Sequence, residues 1–176
     1  MSPIINQEVE NAIRDLDDNG CGIFKIATSV LKEVKSTLSN TLSIIYNLCI
    51  EHGYFPEELK IGCITPVFKK GDKTNISSYR PVCSLSSFSK IFEKIVYNRM
   101  LHFIDKHEIL SKSQFGFRKN VSTETALANF IDYVHKGLTA KHTVGAIFMD
   151  LSRAFDVMDH NILEIKLKHY GFRGTF

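Results

Sequence analysis

The chain has 176 residues, 44% of them hydrophobic and 11% aromatic. That is enough for one domain with a sizeable core or two incomplete subdomains, and too apolar for a disordered chain. A formal net charge of +3 permits a nucleic-acid partner without arguing for one, because the placement of charge decides. Cysteines at 21, 49, 63 and 83 form no C-x-x-C pair, which excludes a zinc site of the usual spacing. Three of the four lie in apolar stretches and are expected to be buried free thiols of a reducing compartment. His102 and His107 stand five apart, not at the i, i+4 spacing of a helical metal pair. No apolar run approaches the ~20 residues of a membrane span, and the N-terminus lacks a basic-then-apolar signal. An intracellular chain, nuclear or cytoplasmic and without a membrane partner, is therefore expected.

In chain order, residues 6–18 read as a short amphipathic helix with Val9, Ile13 and Leu16 on one stripe, stopped by Asn19-Gly20. From Ala27 to His52, Leu31, Val34, Leu38, Leu42, Ile45 and Cys49 recur at three and four, predicting one long helix closed by Gly53. Phe55-Pro56 begins a turn, with a short helical segment to Lys60. Cys63–Phe68 is β-prone, Lys69–Lys73 is a charged turn, and Tyr79–Leu85 can return as a second strand that Pro81 confines to an edge or a strand start. Ser86-Ser87 offers the N-cap of a helix carrying Phe88, Ile91, Phe92, Ile95, Val96, Phe103 and Ile104. A polar loop with Gln114-Phe115-Gly116-Phe117-Arg118 follows, then a helix from Thr123 to Leu138 with Leu127, Phe130, Ile131 and Val134 on its stripe. Thr143–Met149 is a continuous apolar run, the pattern of a strand covered on both faces. It ends in Asp150, after which Leu151–Asp159 forms a turn or a short helical piece. A last helix, Ile162–Tyr170, is capped by Asp159 or Asn161 and ended by Gly171. A helix-rich first half leading into strand–helix alternation indicates an α/β or α+β fold.

Two places carry candidate chemistry. Asp150 ends the apolar run, where mixed sheets place ligand and metal sites, and Asp156 and Asp159 are near in sequence. Mg²⁺ takes one or two carboxylates plus phosphate oxygens, so this fits metal-assisted phosphoryl transfer. Equally, Asp150 can end a strand and cap the following turn with its own side chain. In the basic hairpin, Lys69, Lys70, Lys73 and Arg80 could converge on a triphosphate, with Phe68 and Tyr79 beside them for stacking. The alternative there is a solvated turn with ordinary strand packing.

Taken together, the segments resemble a known family. Pro66–Asp72, Ser78–Val82 and Ser89–Lys94 look like the fingers of reverse transcriptases from non-LTR retrotransposons, jockey-like and LINE-type. Gln114–Arg118 with Ser122-Thr123 and Ala126-Leu127 continues that order. Phe148–Asp156 looks like the first catalytic motif, trailed by Asp159-His160 and Tyr170–Gly174. The resemblance implies an α+β right-hand polymerase represented by its fingers and the first part of its palm. Its expected divisions are a helical region at 1–60, fingers and the start of the palm at 61–140, and a palm segment at 141–176. It implies that Asp150 is a catalytic, metal-binding aspartate and that Leu151 offers a backbone carbonyl to the second ion. Phe155 would lie beneath the incoming sugar, Arg80 with Lys69 or Lys70 would hold the triphosphate, and Gln114, Gly116 and Arg118 would contact template and primer. Mg²⁺ or Mn²⁺ in the complete enzyme, an RNA template, a DNA primer and deoxynucleoside triphosphates follow as expected cofactor and partners.

The chain also departs from that pattern. The family's second metal-binding pair, an aromatic-Ala-Asp-Asp hairpin, is not reached by Phe176, and Asp17-Asp18 sits in a polar helix with no hairpin around it. Residues 17–22 lack the family's Pro-Gly-x-Asp. A polymerase by descent, truncated before the second catalytic motif and inactive alone, is expected. Its alternative is a non-catalytic nucleic-acid-binding remnant. A third class, an aspartyl-phosphate phosphatase, wants an Asp two residues after the first, where Ser152 stands.

Overall fold

The computed structural model describes residues 2–17, 26–151, 154, 155 and 157–173. The expected stop at Asn19-Gly20, as well as Asp18, Cys21, Gly22, Ser152, Arg153, Asp156 and Gly174, lies outside the described residues. The chain divides into two units, one of residues 1–103 with 173–176 and one of residues 104–172.

The first unit is built on helices. Helix α1 (Asn6–Arg14) starts where the Ile5 amide donates to the Glu8 carboxylate at 3.1 Å, and it buries Val9, Ala12 and Ile13. It ends at Arg14, short of the expected residue 18, with Asp15 as its C-cap. The single helix expected over 27–52 is two: α2 (Thr28–Glu33) and α3 (Lys35–His52), separated at Val34, whose ψ has swung to 14°. The break falls where the buried face changes. Leu31 is buried on α2, whereas α3 buries Ser39, Leu42, Ser43, Tyr46 and Cys49, leaving Val34 and Ile45 exposed. Small serines let α1 lie close, and Ser43 Oγ reaches Asn6 Oδ1 at 2.8 Å. Gly53 closes α3 with a φ of 59°, its amide and that of Tyr54 returning to the carbonyls of Ile50 and Cys49.

After the short helix α4 (Glu57–Lys60), strands β1 (Gly62–Phe68) and β2 (Tyr79–Leu85) pair antiparallel, with Gly62 opposite Leu85 and Phe68 opposite Tyr79. Pro66 faces Pro81. Neither can donate to a ladder, so this pair must be a non-hydrogen-bonded one, and the alternation makes Val67–Arg80 a bonded pair. Cys63 and Cys83 on these strands are exposed, against the expectation of burial, because among the described residues no layer covers either face of the two-stranded sheet. Cys49 is buried as expected.

Helix α5 (Ser87–Lys106) is capped by Ser86, whose hydroxyl accepts from the Ser89 amide at 3.0 Å. Its Ile91, Phe92 and Ile95 complete the core with Ile4, Val9, Ile13, Leu31, Leu42 and Tyr46. Tyr46 stacks on Phe92 with centroids 4.7 Å apart and donates its hydroxyl to the Phe88 carbonyl at 2.9 Å. Burial pushes that phenol's pKa well above its ordinary value.

The second unit carries helices α6 (Thr123–Thr139) and α7 (His160–His169). Ser122 caps α6 through the Thr125 amide, and Asp159 caps α7 by accepting from the Asn161 and Ile162 amides at 2.8 and 3.2 Å. Gly171, with φ 96°, ends α7. The strand expected at 143–149 does not form: these residues belong to no ladder, and Ile147, Phe148 and Met149 are each at least 85% exposed. An apolar run becomes a strand only when a neighbour takes its hydrogen bonds, and among the described residues none lies beside it. For the same reason the expected α6 stripe is open, with Leu127 and Ile131 exposed. Helix and paired strand thus coexist in an α+β chain, and no described helix is long and apolar enough to cross a membrane.

Candidate nucleotide and nucleic-acid site

The residues expected to carry function fall into three places. The first is the β1–β2 hairpin. Two consecutive Asx-type turns shape its connection: Asp72 Oδ1 accepts from the Thr74 amide and hydroxyl at 2.8 Å each, and Asn75 Oδ1 accepts from Ser77 at 3.0 and 2.7 Å. The Thr74 amide, then its hydroxyl, holds the Asp72 carboxyl below the usual carboxylate range. Gly71 has φ 98° and lies so close to Ser78 that an added Cβ would meet its Oγ at 3.0 Å. The Lys69 amide donates to the Ser78 carbonyl at 2.8 Å, extending the pairing one step past β1. Lys69 therefore shares a face with Val67 and Arg80, and Lys69 and Arg80 are diagonal neighbours, a placement typically about 7–8 Å apart. Lys73 lies instead over the Phe68 ring, 5.9 Å from its centroid, where Phe68 and Tyr79 meet edge to face at 5.6 Å. Tyr79 also donates its hydroxyl to the Lys73 carbonyl at 2.9 Å. Lys69, Lys70 and Arg80 are all exposed. Two exposed cations on one face of a stiff hairpin form a ready contact for a phosphate.

The second place is the loop before α6. Arg118 Nη1 donates to the Ser111 carbonyl at 2.9 Å and to the Gln114 carbonyl at 3.4 Å, closing the loop on itself. Gln114 Nε2 donates to the Gly116 carbonyl at 3.3 Å. Phe117, with φ 59°, and Asn120, with φ 62°, sit in the left-handed region. Gln114 and Gly116 stay exposed, and Phe117 is 87% exposed. Arg118 thus braces the loop while Phe117 is held outward, a ring on which a base could stack.

The third place is the segment ending in Asp150 and Leu151, both exposed. Phe148 packs edge-on against Phe130 of α6 with centroids 5.8 Å apart. Phe155 lies 6.0 Å from Phe117 at 89°, so the ring expected beneath the sugar and the expected template loop come together within this unit. Among the described residues no group of three or more His, Cys, Asp or Glu side chains could hold a metal ion. One carboxylate and one carbonyl do not by themselves make a divalent-ion site.

A family model for reverse transcriptase (RNA-dependent DNA polymerase) matches residues 68–175, which include Lys69, Lys70 and Arg80 of the hairpin, the loop before α6 and Asp150. The chain belongs to that family. It is 31% identical over 170 residues to a probable RNA-directed DNA polymerase from transposon BS of Drosophila melanogaster, covering 96% of this chain and 19% of that protein. It is 29% identical over 170 residues to the RNA-directed DNA polymerase from mobile element jockey of the same organism, again 96% and 19%. A putative 115 kDa protein in type-1 retrotransposable element R1DM, also from Drosophila melanogaster, is 31% identical over 157 residues, 86% of this chain and 15% of that protein. The resemblance to jockey-like and LINE-type reverse transcriptases is thereby borne out, and the chain spans less than a fifth of the length of these relatives.

Within this reverse-transcriptase chain, motif reading named Asp72 and Tyr79 for other reasons and passed over Thr74, Asn75 and Ser77, which with Asp72 shape the hairpin's connection. A signal for these four was present, since Asp-x-Thr and Asn-x-Ser are the spacings at which a side-chain oxygen caps its own backbone two residues on.

Proposed function

We propose that this chain forms the fingers and the first part of the palm of an RNA-directed DNA polymerase of a non-LTR retrotransposon, and that its part in nucleotidyl transfer is to hold substrate. The observation that carries the reading is the family match across 68–175, which joins the basic hairpin, the Arg118 loop and Asp150 in one expected order. Lys69, Lys70 and Arg80 take the triphosphate, Gln114, Gly116 and Arg118 contact template and primer, and Phe155 packs under the sugar. Reverse transcriptases work with divalent metal ions, Mg²⁺ or Mn²⁺ here, and such an ion neutralises charge on the transferring phosphate. Asp150 and the Leu151 carbonyl contribute part of the ligand set, the remainder coming from carboxylates that the complete enzyme supplies. The substrates are an RNA template, a DNA primer and deoxynucleoside triphosphates.

A second reading, nucleic-acid binding without polymerisation by the chain as it stands, is favoured by the exposure of Asp150 on a segment with no ladder. Both readings rest on phosphate contacts. Anisotropy of a labelled RNA–DNA hybrid, measured across a salt series, tests them. Affinity is expected to fall steeply with salt, and Arg80→Ala is expected to lower the logarithmic slope by about one. Salt-insensitive binding, or none, contradicts both readings. Polymerisation itself separates them.

A further inference from the structure

The two faces of the β1–β2 hairpin carry different chemistry. Val67 opposes Arg80 and Phe68 opposes Tyr79, and side chains alternate along a strand. Phe68 and Tyr79 therefore share one face, while Lys69 and Arg80 share the other. The alternation that makes Val67–Arg80 a bonded pair makes Phe68–Tyr79 a non-hydrogen-bonded one, the rung at which side chains approach most closely. The two rings hold that rung, edge to face at 5.6 Å.

Beyond it runs the connection of residues 70–77. Asp72 and Asn75 shape this connection, but both of their turns are local and neither fixes it against the strands. Tyr79 does so at two points. Its amide donates to the Ile76 carbonyl, and its hydroxyl donates to the Lys73 carbonyl at 2.9 Å, six residues back. Among the described residues that hydroxyl makes the one hydrogen bond between a strand side chain and the connection. With the Lys73 backbone held there, the Lys73 ammonium lies 5.9 Å from the centre of the Phe68 ring, on the aromatic face. Lys73 is thus kept apart from Lys69 and Arg80. Those two cations are presented by the residues next to the latch, since Lys69 follows Phe68 and Arg80 follows Tyr79.

We propose that Tyr79 is a positioning residue for the nucleotide triphosphate, acting through Arg80 and Lys69 and touching no substrate itself. The proposal rests on the reading that Lys69 and Arg80 take the triphosphate. The latch acts by preorganisation. A hairpin with a loose connection loses conformational freedom when its cations close on a phosphate, whereas a latched one has lost it already on folding. Tyr79→Phe keeps the ring contact and the amide bond and removes the latch alone.

The test is an amide-resolved NMR titration of the full chain with dTTP, with tripolyphosphate and thymidine as separate probes. In the natural chain, amides of residues 69–80 are expected to shift saturably with dTTP and tripolyphosphate and not with thymidine. Tyr79→Phe is expected to weaken dTTP binding about fivefold, the effect of one ordinary hydrogen bond, and Arg80→Ala by at least about tenfold. A role in folding alone would lower the urea midpoint and leave the affinity of the folded chain intact. Positioning instead makes the effects of Tyr79→Phe and Arg80→Ala on affinity less than additive in the double variant. Hairpin amides indifferent to dTTP in the natural chain would overturn the triphosphate reading and the proposal with it. Binding that Arg80→Ala weakens and Tyr79→Phe leaves unchanged would overturn the proposal alone, as would losses that simply add.

Discussion

Arg99 ties the start of the chain to α5, and removing it offers a sharp test of how the first unit is held together. Its Nε donates to Glu8 Oε1 at 2.8 Å and its Nη2 to Glu8 Oε2 at 2.6 Å, a bidentate pair. The guanidinium also reaches the carbonyls of Ser2 and Pro3. The two side chains are 16% and 32% exposed, between surface and core. Exposed ion pairs contribute at most about 1 kcal/mol, and breaking a buried one costs about 3–5 kcal/mol. A coupling of about 2 kcal/mol between them is the expectation here, roughly thirtyfold in the folding constant. The assay is urea unfolding, followed by helical circular dichroism, of the natural chain, Glu8→Gln, Arg99→Met and the double variant. The Arg99 hydrogen bond is the main influence on Glu8 and holds its pKa below the ordinary 4.5. A depressed carboxyl contributes stability that is complete above its unfolded pKa and is lost as pH falls through the folded one. The gap between the natural chain and Glu8→Gln is therefore full at pH 7 and closes on acidification below about 4.5. A coupling under about 0.5 kcal/mol, the size of an unremarkable surface pair, or a gap that does not close in acid, would refute the reasoning.

Further outcomes follow from single sites. Tyr46→Phe, which loses only the hydroxyl bond to Phe88, should cost about 1 kcal/mol, whereas Tyr46→Ala, which also opens a cavity beside Phe92, should cost about 3–5 kcal/mol by urea midpoint. Glu108→Gly should stabilise the chain by about 1 kcal/mol, because Glu108 ends α5 at φ 49°, a conformation that costs a side-chain-bearing residue about 1–2 kcal/mol. Gly71→Ala should weaken the basic hairpin, reducing amide protection of β1 and β2 in hydrogen exchange while leaving α1 and α3 unchanged, since φ 98° and the nearby Ser78 Oγ both resist a Cβ.

Helix ends show where a sequence speaks and where it does not. α3, α5, α6 and α7 all finish on a left-handed residue with two amides turned back to the last-turn carbonyls. At α3 and α7 that residue is Gly53 or Gly171, and a glycine announces the turn. At α5 and α6 it is Glu108 or Lys141, and neither residue type carries such a signal. Periodicity likewise located the helix within 35–52 and part of its buried face, Leu42 and Cys49, but not Ser39 and Ser43, which serve close approach to α1 rather than hydrophobicity. The hairpin was legible from β-prone runs around a charged turn, and Asp159 from its capping position. Thr143–Met149 was not, since apolarity records what a segment would bury against and cannot say whether the neighbour is there. What the sequence carried of the candidate site was the order of its motifs, which the family match over 68–175 bears out, whereas the turns at Asp72 and Asn75 and the meeting of Phe117 with Phe155 depend on local hydrogen bonding and packing that no motif states.

The central claim, that Asp150 is a metal-binding carboxylate of a polymerase, is tested most directly by exchange into a relative. Residues 1–176 would replace the aligned segment of the jockey RNA-directed DNA polymerase, with primer extension measured on poly(rA)–oligo(dT) in Mg²⁺. The account predicts extension by the chimera and its loss in the chimera bearing Asp150→Asn. Extension that survives Asp150→Asn, or silence from a chimera shown to be folded, would contradict it.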